Sequence, residues 1–209
     1  MSSITESKYL RLIAAGEPFR LLFPLGLVFG LLGVLLWPAY VWGLLSPYPA
    51  LMHARIMIEC FMAAFVMGFL GTALPRLLEV PKVGLRESGL YAAGLLIVCG
   101  LHLFRTHAGG DVVFLLTFGG FLSSLLCRAR RRQDVPPPGF ALVALGFLSA
   151  LIGAFLFILS AVLPNGVPAQ VYVLARLFLY QGIYLRIQSL DPDSGKSCGT
   201  GTQRAVGAF

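Results

Sequence analysis

Long apolar runs separated by short polar turns fill the chain from about residue 20 to about residue 187. The hydrocarbon core of a bilayer takes about 20 apolar residues per helix, and about six stretches approach that length. They are 20–43, 54–75, 88–104, 111–127, 139–163 and 170–187. The pattern predicts an all-α integral membrane protein, a helical bundle with about six transmembrane helices. Three parts follow: a cytoplasmic N-terminal segment over 1–18, the transmembrane domain over 19–188 and a tail over 189–209. From Asp191 the composition turns to Ser, Gly, Thr and Asp, which predicts a disordered cytoplasmic tail. Pro136-Pro-Pro-Gly139 is a rigid break before the fifth run. The first run is too long for a secretory signal and follows a polar stretch. It ends in Trp37-Pro-Ala-Tyr-Val-Trp42, an aromatic belt rather than a cleavage site.

Composition excludes a soluble domain, because 57% of residues are hydrophobic and only 12% are charged. The basic residues gather in alternate loops. Lys8, Arg11 and Arg20 precede the first run, and Arg76, Lys82 and Arg86 follow the second. Arg128, Arg130, Arg131 and Arg132 follow the fourth, and Arg186, Lys196 and Arg204 follow the sixth. The opposite loops hold only Arg55 and Arg105. By the positive-inside rule both termini are expected in the cytoplasm. The net charge of +7 is explained by this asymmetry and calls for no nucleic-acid partner. The lipid bilayer is the expected partner, with Arg128–Arg132 as a topology anchor beside anionic headgroups.

Chemistry concentrates in the second run, where His53, Arg55 and Glu59 stand in a segment of spanning length. Ionisable groups inside a bilayer are costly and usually face protein, water or a ligand. On a straight helical wheel, His53, Met57, Cys60 and Met67 share one side and Arg55 and Glu59 the other. The first set is a stripe of imidazole, thioether and thiol donors, which suits Cu(I) or, through the imidazole, haem iron. Methionine also packs well in any apolar core, so packing is a strong alternative reading of the same stripe. Arg55 and Glu59 form a structural charge network in which Glu59 pairs with Arg176 of the sixth run, at a similar depth from the outer side. His102, inside the third run, is a conceivable second ligand on the side of His53, and His107 reads as an interface residue. Cys60, Cys99, Cys127 and Cys198 show no paired finger spacing and predict no disulfide. Gly26, Gly30 and Gly33, like Gly68 and Gly71, predict close helix approach. There is no hydrolytic triad, carboxylate dyad or nucleotide loop, so a soluble-type enzyme mechanism and catalytic residues are not indicated.

Three motifs in order carry a resemblance: Pro18-Phe-Arg20, His53-Ala-Arg-Ile-Met57 and Gly68-Phe-Leu-Gly-Thr-Ala-Leu-Pro75. The chain resembles the N-terminal half of the NnrS family over roughly residues 18–76, and more weakly beyond. The family's proteins are polytopic, bacterial and associated with haem, copper and nitric oxide stress. The resemblance implies haem and/or copper as cofactors, His53 and Met57 as ligands, and a place in the bacterial inner membrane. Where the family pattern has a second histidine and a glutamate, this chain has Arg55 and Ile56. Resemblance to one half of the family implies a divergent short member, a truncated or frameshifted product, or a protein completed by a second copy or a partner membrane subunit. Two rival readings are a small transporter or channel subunit, whose polar residues line a path, and a cofactor-free membrane scaffold.

Overall fold

A computed structural model describes residues 11, 13, 15–46, 48–130 and 139–162, with the side chains of 139–143 and 160–162 left aside. Over these residues the protein is helical, with no strand among them. The long helices are α1 (Phe19–Val41), α2 (Ala50–Leu77), α3 (Leu85–Leu103), α4 (His107–Ala129) and α5 (Gly139–Val162). Each coincides with one of the first five apolar runs. The sixth run, 170–187, lies outside the described residues, as do the tail and the Arg131–Pro138 stretch. By length and composition α1, α2 and α4 are able to cross a membrane, and Ala144–Leu159 is a shorter apolar helix.

Local chemistry sets the ends. Pro49 precedes the first turn of α2, where a missing N–H costs nothing. At the start of α3, Glu87 accepts the Gly84 N–H at 3.1 Å, satisfying one orphan donor. Arg105 lies in the left-handed region at φ 65°, which lets α3 reverse into α4 within a three-residue link.

α2 is the hub, packing on α1, α3 and α4, while α4 also packs on α3 and α5. The expected close approach is present. Added Cβ atoms at Gly26, Gly30 and Gly33 would collide with Phe65, Phe61 and Met57 of α2, so only hydrogen there permits this packing. Phe114, Phe118 and Phe121 of α4 fill the centre with Leu95 and Val98 of α3 and Met67 of α2. Outward-facing positions are also apolar, as with Leu27, Leu31 and Leu35 along α1. Charged groups inside and exposed leucines outside are the arrangement of a protein solvated by lipid. This is a membrane protein.

One end is laced by ion pairs. Glu17 accepts from Arg20 at 2.5 Å and from Arg76 at 3.0 Å, tying the start of α1 to the end of α2. Arg128 reaches both Glu87 oxygens at 2.7 Å, tying α4 to α3. The Arg20 guanidinium, helped by Arg76, holds the Glu17 carboxyl below its ordinary range. A depressed carboxyl contributes stability above its unfolded pKa and loses it as pH falls through the folded one. Glu17→Gln is therefore expected to lower the melting temperature slightly near neutral pH. The gap from wild type should close on acidification, as paired melts at several pH values would show. The opposite end carries aromatics, with Tyr48 packed edge-on against both Trp37 and Tyr40.

Candidate functional site

The middle of α2 departs from an ordinary helix. Ile56–Met62 forms a π-type turn, in which each backbone bond spans one residue more than in an α-helix. Such turns are frequent at functional sites. Less rotation per residue there changes which side chains share a face.

His53, ahead of the turn, and Met57, at its start, both face α1 at Gly33. His53 Nδ1 lies 2.8 Å from the Gly33 carbonyl oxygen, so Nδ1–H donates and Nε2 keeps its lone pair. The Met57 sulphur lies 2.7 Å from where a Gly33 Cβ would stand. Trp37 flanks the imidazole, with ring centroids 5.4 Å apart. Cys60, later within the wider turn, instead meets Cys99 of α3, thiol to thiol. Met67 is buried in the central apolar cluster. The four soft donors are thus split: His53 with Met57 on α1, Cys60 on α3, Met67 in the core.

Arg55 and Glu59 point the other way, into a buried polar group drawn from three helices. Arg55 donates to Asp111 Oδ2 of α4 at 2.8 Å, with its guanidinium 4.7 Å from the Phe157 ring of α5. Glu59 Oε2 lies 2.9 Å from His102 Nε2 of α3, with one proton between them. His102 Nδ1 is 3.4 Å from His107 Nδ1 at the start of α4. Arg55 is 4% exposed, Asp111 1%, and Glu59 and His102 are fully buried. Arg176, expected opposite Glu59, lies outside the described residues.

Glu59 stands about nine residues into α2, roughly 13 Å from its start. His102 is in the last turn of α3 and Asp111 in the second turn of α4, so all three meet beneath the α3–α4 link. Bringing such charges out of water is costly, and only close pairing offsets it. Sequence reasoning missed Asp111, which stands at the first position of the 111–127 apolar run. The signal was the unmatched Arg55: a cation at this depth requires an anion from a neighbouring helix. It also missed the Cys60–Cys99 contact.

A family model described as "NnrS protein" matches residues 14–187. The chain belongs to the NnrS family. The match extends well beyond 18–76 and takes in all five helices. No match was found among curated proteins or among solved structures.

The soft donors of this NnrS-family chain have a chemistry that bears on copper and haem. An imidazole whose Nδ1–H is held by a backbone carbonyl is the usual state of a metal-bound histidine, since that bond fixes the ring and raises the basicity of the other nitrogen. Met57 adds a thioether beside it, and soft sulphur with imidazole suits Cu(I). His53 and Met57 fit such a group; Arg55, a permanent cation, supplies no lone pair.

Proposed function

We propose that this NnrS-family protein is a multi-pass protein of the bacterial inner membrane, with both termini cytoplasmic. It carries haem or copper and serves in the response to nitric oxide and other nitrogen-oxide stress. The observation that supports this reading is the anchored imidazole of His53, with Nδ1 bonded to Gly33 and Nε2 left to donate. When bound, haem iron or copper supplies a centre able to take nitric oxide or an electron. His53 binds it, Met57 is the adjoining soft ligand, and the Gly33 carbonyl orients the ring. Arg55 and Glu59, through Asp111 and His102, hold α2 against its neighbours.

The test is the visible spectrum and copper content of detergent-purified protein beside His53→Ala. The expected result is a Soret band or stoichiometric copper in wild type and its loss in the variant. A colourless, copper-free wild type, even after haem and Cu(I) are supplied, would sink the reading. A transporter subunit or a scaffold would then lead, and an ion-flux assay in liposomes separates those two.

A further inference from the structure

We infer that Glu59, His102 and Asp111 form a second metal site, separate from His53 and Met57, that takes a first-row divalent cation of the Zn²⁺ class. The three residues come from α2, α3 and α4, and each offers one ligand atom within 4.8 Å of the others. A modest inward shift brings such atoms to coordination distance. Two carboxylate oxygens and one imidazole nitrogen make a borderline-hard set, unlike the sulphur-rich stripe, and suited to Zn²⁺, Mn²⁺ or Fe²⁺ rather than Cu(I).

A buried acidic pair alone would not carry this. The second observation is that Glu59 Oε1 and Asp111 Oδ1, both fully enclosed, have no donor from the protein. Their other oxygens are already engaged, by His102 and Arg55 respectively. The two carboxyl groups lie within hydrogen-bonding reach of one another. Something positive must therefore sit between them, since buried oxygens without a partner cost about 1–3 kcal/mol each, and more when charged. A single shared proton or a bound cation both meet that need. One guanidinium faces two carboxylates here, so Arg55 neutralises only one of them.

The surroundings are those of a ligand set. His102 is held at Nδ1 by His107, the outer-shell bond that orients a metal-bound imidazole. Gly110 lies against the His102 ring, which pins it from the α4 side. Entry is from the outer end, where Arg105 and Thr106 are exposed and His107 is half-buried.

The experiment is titration of the full chain in detergent with Co²⁺, an optical stand-in for Zn²⁺, followed by displacement with Zn²⁺. Expected are stoichiometric Co²⁺ bands that Zn²⁺ abolishes. Glu59→Gln and His102→Gln should each weaken binding by more than about 100-fold, and His107→Gln, one shell out, by about 10–100-fold. Glu79→Gln, an exposed carboxylate at the other end, should change nothing. Absorption-edge spectroscopy on bound wild type needs no variant to fold, and should show only oxygen and nitrogen around the metal. Sulphur in that shell would place the ion with Met57 or Cys60 and overturn the proposal. So would the absence of bands in folded wild type, or bands that survive Glu59→Gln.

Discussion

Replacing Asp111 with alanine is expected to destabilise the folded protein by about 3–5 kcal/mol, the cost of leaving a buried ion-pair partner unmatched. Arg55 would keep its place beside Phe157, 4% exposed, having lost the one anion it bonds and left with Glu59, whose Oε2 is already engaged by His102. The pair itself is a different matter. Replacing both partners by apolar groups of similar volume is often neutral or better, so Arg55→Met with Asp111→Leu should recover most of the loss. Denaturant unfolding in micelles, with a chelator present throughout, measures all members of the cycle. A single Asp111→Ala variant within about 1 kcal/mol of wild type would mean that Arg55 finds another partner.

Gly110→Ala is the second large effect, and its sign opposes helix propensity. Alanine is favoured over glycine inside a helix by about 1 kcal/mol. At Gly110, however, a Cβ would stand 2.5 Å from His102 Cε1 and 2.8 Å from its Nδ1. The ring has nowhere to go, since Glu59 holds one nitrogen and His107 approaches the other. Overpacking of this kind costs about 1–3 kcal/mol. Gly109→Ala is the matched control, because its Cβ would meet only Leu101 methyls at 3.8 Å and beyond. The expected order of melting temperatures is Gly109→Ala at or above wild type and Gly110→Ala clearly below. Equal effects at the two positions would remove the claim that His102 is rigidly seated.

Helix positions were legible because spanning length and apolarity are local properties of the chain. The expected 54–75 run became α2 over Ala50–Leu77, four residues earlier, and the reason is instructive. Hydropathy drops at His53 and Arg55, yet the helix continues through them because both face protein. The basic loops around Arg76 and Arg128 were equally plain, though their bonds to Glu17 and Glu87 depend on helices meeting. The soft-donor stripe was drawn on a uniform 100° wheel. That wheel fails at Ile56–Met62, where packing, not propensity, sets the wider turn, so Cys60 meets Cys99 instead of joining Met57. Asp111 and His102 were visible as residues but not as partners, since nothing along the chain says which helix ends meet.

The wide turn of α2 also divides that helix into two rotational units. An i→i+5 loop holds one residue more than an ordinary turn, so losing any single residue from Ile56–Met62 would let the backbone relax to regular geometry. Ala63–Leu77 would keep its seat on α1 and α4. Ala50–Arg55 would keep nearly the same rotational setting, because the residue lost is the one the wider turn had absorbed, and His53 would stay at Gly33 and Arg55 at Asp111. The two chemistries of this helix, the anchored imidazole and the buried guanidinium, therefore share one angular setting. A residue lost inside the wide turn leaves both in place, and one lost from the regular helix over Ala63–Leu77 would turn both together by about 100°.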